Sequence, residues 1–223
     1  MDGVTQRVET GRMSARIRIF RTGRHAHRMP ISYRALAPLF EATIELVDRP
    51  ALADLYLFAH SLNTMKLVVH VAGEMGVDGS EHVVLCLGAL LHDIGKLAVP
   101  ASLLNATRRL RKNEIDSIRA HSEIGYDSLS DTRIIGWNAV LDVIRHHHER
   151  LDGSGYPFGL TAPNISWRTR CVTVCDVFSA LIESRPYRPA MGRDEAVAVL
   201  AQMAEAGKID GDIVDVLRRR RPE

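Results

Sequence analysis

The chain has 223 residues, of which 46% are hydrophobic and 5% aromatic, and its many Ala, Leu and Val residues favour packed helices over a β-sandwich. The formal net charge of +2 does not indicate nucleic acid, and we expect no nucleic-acid partner. The longest apolar run, 83–91, is far shorter than the roughly 20 residues of a membrane span, so we expect no membrane contact. There is no apolar signal core, and Cys86, Cys171 and Cys175 form no CxxC pair. We therefore predict a cytoplasmic protein with reduced thiols.

The first fifty residues differ from the rest of the chain. Segment 1–30 is rich in arginine and is predicted to be a basic, flexible arm; a contact with nucleic acid, a membrane or a partner domain is the alternative. Segment 31–50 is predicted to be one N-terminal helix that ends at Pro50, because proline does not fit a helix interior. Its apolar residues recur at helical steps: Leu36, Leu39, Phe40, Ile44 and Val47.

The remaining residues, 51–223, are predicted to form one all-α domain. Apolar spacing and the positions of Gly and Pro predict the following helices: 51–75, 81–92, 112 to just before 121, 134–150, 167–184, 193–206 and 209–220. Gly95 and Pro100 mark the end of the second of these helices and the loop after it. No segment has the pattern of a sheet.

Two pairs of adjacent residues suggest a metal site. His92 and Asp93 lie at a predicted helix end, where neighbouring side chains can converge although they point about 100° apart in a regular helix. The carboxylate can bridge two ions while the imidazole binds one. His147 and His148 repeat this geometry near the end of another helix, and His146 is interpreted as not being a ligand. Histidine and carboxylate clusters of this kind suit divalent metals.

Asp176 lies in an otherwise apolar helix and therefore needs a partner, because burial of an unpaired carboxylate is costly. A metal ion is one such partner, and a buried salt bridge is the other. Cys171 and Cys175, one turn apart near this aspartate, are interpreted as core residues.

These motifs resemble those of the HD-GYP family, a branch of the HD superfamily of metal-dependent phosphohydrolases. The match is complete for HDxGK at 92–96 and for HHExxDGxGYP at 147–157. Segments 121–125, 176–181 and 185–188 look like the family's HxxxG, DVFDAL and RPYR. The resemblance implies that 51–223 is an HD-GYP catalytic domain with the fold of an all-α HD-domain helical bundle, preceded by a short N-terminal extension.

The resemblance also implies a ligand set for two divalent ions, iron or manganese. One ion would be held by His60, His92, Asp93 and Asp176. The other would be held by Asp93, His121, His147 and His148, so that Asp93 bridges the two. A third ion is not expected, because Tyr56 stands where some family members have a glutamate ligand.

Other residues receive roles from the same resemblance. Asp93 and Lys96 are predicted to be catalytic. The predicted substrate contacts are Lys96, Tyr156, Arg185 and Arg188, and the loop-shaping residues are Gly153, Gly155 and Pro157. The chain departs from the family pattern at 106–108, where Lys-Pro-Gly is usual, at Ser179, where aspartate is usual, and at Ile182, where threonine is usual.

The implied activity is hydrolysis of cyclic di-GMP to the linear dinucleotide, to GMP or to both, by a metal-activated hydroxide. One alternative is a weakly active receptor or scaffold that docks on diguanylate cyclase domains through the Gly-Tyr-Pro loop. Another is hydrolysis of a mixed cyclic GMP-AMP dinucleotide. A diiron oxygenase is disfavoured by the Gly-Tyr-Pro segment and the paired arginines. A homodimer formed through the N-terminal helices is also possible.

Overall fold

The computed structural model describes residues 55–77, 79–131, 136–184 and 189–220, without the side chains of Leu55, Tyr56 and Ser80. The predicted basic arm, the predicted helix at 31–50, and both Arg185 and Arg188 lie outside the described residues. The described part is all-α, as predicted from the sequence. It contains no β-strand, and its single isolated bridge joins Asp152 to Thr161.

Nine α-helices make up the described part. They are α1 (Leu55–Glu74), α2 (Gly79–Leu91), α3 (Ala101–Leu104), α4 (Lys112–Arg119), α5 (His121–Leu129), α6 (Trp137–His146), α7 (Trp167–Ile182), α8 (Arg193–Glu205) and α9 (Gly211–Arg219). Short 3-10 helices lie at Ile94–Ala98 and Ala162–Asn164. None of the described helices has the length and apolarity that crossing a membrane requires.

Three of the sequence predictions need correction. The helix predicted to reach 150 ends at His146, since the chain turns at His147. Two short helices, α3 and α5, were not predicted. The expectation for Gly95 was also wrong, because α2 already ends at Leu91 and Gly95 lies inside the following 3-10 helix.

Gly95 is required by a close approach between two elements. A Cβ at this position would lie 1.9 Å from the carbonyl oxygen of His121 and 2.6 Å from the amide nitrogen of Gly125. Only glycine permits the 3-10 helix to lie this close to α5. The contact places Asp93, which follows the end of α2, beside the first turn of α5.

The core has two parts that share α2. The larger part packs α1, α2, α7, α8 and α9 around fully buried residues such as Val71, Leu85, Val172, Leu200 and Ile213. The smaller part joins the end of α2 to α5 and α6 and consists of Leu91, Leu129, Trp137, Val140, Leu141 and Ile144. Burial of this apolar surface stabilises the bundle and leaves polar residues facing one another between the two parts.

One carboxylate ties α6 to the start of α7. Asp142 accepts hydrogen bonds from Ser166 Oγ at 2.6 Å and from Thr169 Oγ1 at 2.9 Å. Ser166 is also the N-cap of α7, and its Oγ accepts from the Thr169 amide at 3.2 Å. These bonds fasten the middle of α6 to the start of α7.

Candidate metal centre

Five helices bring histidines and aspartates together between the two parts of the core. His60 comes from α1, His92 and Asp93 follow α2, and His121 opens α5. His147 and His148 follow α6, and Asp176 comes from the middle of α7. All of these residues are buried except His148, which is half-buried. The structure therefore brings together all seven residues that were predicted as metal ligands.

The first set, called here the three-histidine group, consists of Asp93, His121, His147 and His148. One donor atom from each member lies within 4.8 Å of the donor atoms of the other members. Asp93 Oδ1 is 3.2 Å from His121 Nε2 and 3.7 Å from His147 Nε2. The two Nε2 atoms are 3.3 Å apart. Donor atoms at these separations can be drawn onto one small cation.

The second set, called here the His60 group, consists of His60, His92, Asp93 and Asp176. The first three also present donor atoms within 4.8 Å of one another. Asp176 Oδ1 lies 2.9 Å from His60 Nε2 and 3.7 Å from His92 Nε2. His92 Nε2 lies 3.4 Å from Asp93 Oδ2. Asp93 thus directs one oxygen to each group, which is the arrangement that a bridging carboxylate needs.

Several atoms that face these groups make no hydrogen bond although they are buried. They are His92 Nε2, Asp93 Oδ1 and His148 Nε2. Buried polar atoms are almost always satisfied in folded proteins, because burial without a partner is costly. A divalent cation would provide the missing partner for all three. The residues present therefore fit a metal ion.

The histidine rings are held by hydrogen bonds on the side away from the cluster. Nδ1 of His92 donates to the carbonyl of Ala89 at 2.7 Å. The same bond to the residue three positions earlier orients His121 at 2.7 Å and His147 at 2.9 Å. Each of these rings consequently presents Nε2 to the cluster, and its tautomer is set by the backbone.

The electrostatics of the two groups differ. Burial lowers the pKa of His147 to about 4, and neighbouring histidines add to this effect. The pKa of His148 is likewise lowered by burial and by His147. For His60, burial opposes protonation, but hydrogen bonds to Asp176 and Glu183 outweigh it and raise the pKa to about 9. Lys96 and His92 keep the pKa of the Asp93 carboxyl low in spite of its burial.

Lys96 and Tyr156 lie at the edge of the cluster. The Lys96 ammonium donates to Asp93 Oδ2 at 2.5 Å, and its side chain keeps 20% of its surface exposed. The Tyr156 ring stacks on His148 with a centroid separation of 4.6 Å and an interplanar angle of 26°. The Arg119 guanidinium lies 5.0 Å from the centre of the Tyr156 ring. A cation and an aromatic ring, both half-buried, therefore lie next to the buried donors.

The loop after His148 depends on glycine at two places. Gly153 adopts a positive φ of 80°. A Cβ at Gly155 would lie 2.4 Å from both the amide nitrogen of Arg150 and the Cα of Glu149. The Tyr156–Pro157 peptide bond is cis. The close approach at Gly155 lets the loop fold back tightly on the end of α6, where the Tyr156 amide donates to the His148 carbonyl at 3.3 Å.

The side chain of Glu149 holds this loop by binding two of the loop's backbone amides. This role was not inferred from the sequence. The side chain is 2% exposed and accepts hydrogen bonds from the amides of Phe158 at 2.7 Å and Leu160 at 2.9 Å. Glu149 belongs to the HHExxDGxGYP motif, so the motif identified the position. The partners could not be inferred, because they are backbone groups nine and eleven residues away.

The departures from the family pattern have visible consequences at two positions. In segment 106–108, Arg108 pairs with Glu114 through both guanidinium nitrogens at 2.7 Å, which fastens this loop to α4. Ser179 is buried and donates to Glu183 at 2.9 Å.

His146 donates to Asp142 at 2.9 Å and is not part of either group.

Comparison with known proteins identifies the family. The chain matches the model of the HD domain over residues 40–213. It is 35% identical to the 3'3'-cGAMP-specific phosphodiesterase 1 of Vibrio cholerae over 74% of this chain and 38% of that relative. It is 37% identical to the cyclic di-GMP phosphodiesterase response regulator RpfG of Xanthomonas campestris over 80% of this chain and 48% of that relative. The chain spans less than half the length of these curated relatives.

Solved structures share the fold. A HDG"Y"P protein of Bdellovibrio bacteriovorus, Bd1817, superimposes with a TM-score of 0.60 at 22% identity, over 72% of this chain and 51% of that one. The HD domain of the phosphodiesterase PgpH of L. monocytogenes, in complex with cyclic-di-AMP, gives a TM-score of 0.55 at 14% identity, over 83% and 99%. The chain belongs to the HD domain family and, with both of its motifs complete, to the HD-GYP branch of that family.

Proposed function

We propose that this protein is a metal-dependent phosphodiesterase that hydrolyses cyclic di-GMP to the linear dinucleotide, to GMP or to both. The observation that carries the proposal is the pair of buried donor groups that share Asp93 and leave polar atoms unsatisfied. Relatives at 35% and 37% identity are phosphodiesterases of cyclic dinucleotides, which supports the same reaction here.

The ligands follow from the two groups. The His60 group would hold one ion and the three-histidine group the other, with Asp93 between them. Mixed imidazole and carboxylate ligation suits iron or manganese. When bound, two such ions supply an activated hydroxide and neutralise charge that develops on the phosphoryl oxygens. Because Asp93 is shared, it sets the spacing between the two sites.

The surrounding residues bind and orient the substrate. Lys96 lies beside Asp93 with part of its side chain exposed, so its ammonium can bind a phosphoryl oxygen. Tyr156 is held against His148 and is half-buried, so the free part of its ring can stack on a base. We retain Arg185 and Arg188 as candidates for the second phosphate of a cyclic dinucleotide, since guanidinium groups match phosphate oxygens.

The test is metal analysis of protein purified without air, followed by incubation with cyclic di-GMP and identification of the products. We expect bound iron or manganese and a linear dinucleotide or GMP. Asp93→Ala serves as the inactive control. Metal-loaded protein that binds cyclic di-GMP but never cleaves it would contradict the proposal and favour a receptor. A third tightly bound ion would contradict the expectation based on Tyr56.

Cyclic GMP-AMP is a second candidate substrate, because a relative at 35% identity is specific for it. The two substrates differ in one base, so a direct competition experiment at equal concentrations decides between them. We expect preferential cleavage of cyclic di-GMP, and the opposite preference would change the assignment of substrate.

Docking on diguanylate cyclase domains through the Gly-Tyr-Pro loop is a further proposal, as is a homodimer. Phe158, directly after the loop, leaves 50% of its surface exposed beside Arg145 and favours a partner contact. We expect Phe158→Ser to weaken cyclase binding in a pull-down without changing the cleavage rate. Light scattering tests the dimer, and a monomer at working concentration would contradict it.

A further inference from the structure

His60 differs from the other oriented histidines of the centre in the partner of its Nδ1 atom. His92, His121 and His147 each donate this hydrogen to a backbone carbonyl three residues earlier. His60 instead donates it to the carboxylate of Glu183, with an Nδ1 to Oε2 distance of 2.8 Å. A neutral backbone acceptor three residues earlier is therefore replaced by a charged acceptor at the end of α7, far along the chain.

Glu183 is itself held firmly. Its other oxygen, Oε1, accepts from Asn63 Nδ2 at 2.8 Å and from Ser179 Oγ at 2.9 Å. Asn63 lies on α1 close to His60, and Ser179 lies on α7 one turn before Glu183. The glutamate side chain is 14% exposed. Three donors from two helices thus fix both carboxylate oxygens, so the carboxylate cannot turn away from the ring at low cost.

Glu183 and Asp176 contact opposite nitrogens of the same ring. Asp176 Oδ1 lies 2.9 Å from His60 Nε2, and Glu183 Oε2 lies 2.8 Å from Nδ1. The two acids are seven residues apart, which is about two helical turns and places them on the same side of α7. The end of α7 therefore holds the His60 ring between two carboxylates, one facing the cluster and the other facing away from it.

A carboxylate behind a ligating imidazole has two effects. It retains the proton on Nδ1, so that Nε2 carries the lone pair, and its negative charge makes that lone pair more basic. We propose that Glu183 is a positioning residue that orients His60 and strengthens Nε2 as a ligand, so that the His60 group binds its ion more tightly than backbone orientation alone would permit. This inference rests on the proposed metal centre but not on the identity of the substrate.

The experiment measures Mn²⁺ affinity of the full chain by isothermal titration calorimetry, supported by metal analysis after equilibrium dialysis. We expect Glu183→Ala to weaken one of the two binding events by about 10- to 100-fold, the usual effect of removing the partner of a ligating histidine. The other event should be unchanged. We expect a smaller loss for Glu183→Gln, because the amide can keep its oxygen toward His60 Nδ1, although its NH₂ group then faces the donors Asn63 Nδ2 and Ser179 Oγ.

Two controls separate ligation from folding. In a His60→Ala background, Glu183→Ala should produce no further loss, because the glutamate acts through His60. Glu114→Gln is a matched variant: the Glu114 side chain is 15% exposed, and it is bound by Arg108 and by the Arg111 amide. We expect Glu114→Gln to bind Mn²⁺ as the wild type does. Thermal denaturation of the metal-free variants reports any change in folding directly.

Three outcomes would overturn the inference. The first is equal Mn²⁺ affinity in the wild type and Glu183→Ala. The second is an equally large loss in the His60→Ala background. The third is wild-type protein that binds no Mn²⁺, which would also contradict the proposed function. Wild-type protein that binds Mn²⁺ but does not cleave cyclic di-GMP contradicts the proposed function alone and leaves the inference to be decided by the affinities.

Discussion

The two donor groups share Asp93 but are built from different chemistry. The three-histidine group contains three imidazoles and one carboxylate. Burial lowers the pKa of His147 in this group to about 4. In the His60 group, hydrogen bonds from the His60 ring to Asp176 and to Glu183, which lies outside the group, raise the pKa of His60 to about 9 in spite of burial. A ligating nitrogen must be free of its proton, so an ion entering the His60 group displaces a proton, whereas His147 is already neutral. The two sites are therefore not equivalent before any metal binds.

Asp93→Ala tests the feature that the two groups share, and we expect it to have the largest effect. Removal of the bridging carboxylate takes the only oxygen ligand from the three-histidine group, leaves the His60 group with Asp176 as its only oxygen ligand, and leaves Lys96 without its partner. Metal content should fall at both sites, and phosphodiesterase activity should fall to the background level. Inductively coupled plasma mass spectrometry and product analysis measure these changes. Retention of both ions would show that Asp93 is not the bridge.

Single histidine variants separate the two groups. His60→Ala should weaken binding of the ion at the His60 group and leave the other unchanged, and His147→Ala should do the reverse, because each residue belongs to one group only. Both variants should be inactive if hydrolysis needs both ions. The ratio of metal to protein after dialysis is the measurement. Loss of both ions from either variant would mean that the groups do not bind independently.

Gly95→Ala should disturb the three-histidine group through the backbone. The added Cβ would overlap the carbonyl of His121, so the 3-10 helix and α5 must separate. Overpacking of this kind typically costs about 1–3 kcal/mol of the free energy of unfolding. We expect a lower denaturation midpoint and weaker binding at the three-histidine group.

Gly73→Ala is the matched control for this variant. Gly73 lies in α1, and nothing is within 4 Å of the position that a Cβ would take. Alanine there should be neutral or stabilise the helix by up to about 1 kcal/mol. Equal stability of the two alanine variants would contradict the predicted cost of a Cβ at Gly95.

Asp142→Ala tests a carboxylate that belongs to neither group, and we expect it to have the smallest effect on metal binding. The variant loses three hydrogen bonds, from His146, Ser166 and Thr169, and should lose about 1–3 kcal/mol of stability with unchanged metal binding. These bonds lower the Asp142 pKa against the effect of burial. The stabilisation is therefore complete above the ordinary aspartate pKa and is lost as the pH falls through the lowered one. Chemical denaturation at pH 7 and at acidic pH should show the difference between wild type and variant shrinking.

Sequence patterns predicted the all-α fold and singled out the histidines and aspartates that the structure brings together, because helical spacing and contiguous motifs are local properties. The end of α6 was misplaced because no Gly or Pro stands between His146 and Gly153 to mark it, while the backbone turns at His147. The break just before His121 was predicted. The short α5 that follows was not predicted, because it lacks a strong apolar stripe.

The roles of Glu149 and Glu183 were not predicted. Glu149 binds backbone amides, which leave no mark in the sequence. Glu183 meets His60 across 123 positions of the chain. The sequence drew attention to Ser179 as a departure from the family pattern. Only the fold shows that Ser179 supports a carboxylate one turn further along α7.

The bonds from Glu149 to the Phe158 and Leu160 amides have a consequence for how this loop can change over time. Any residue except proline provides the same amide, so the path of the loop does not depend on which side chains occupy these two positions. Mutations there can alter the outer face of the loop while Tyr156 stays against His148. The side chains at 158 and 160 can therefore change while the loop keeps its path. Libraries randomised at these two positions should yield mostly folded, metal-binding variants.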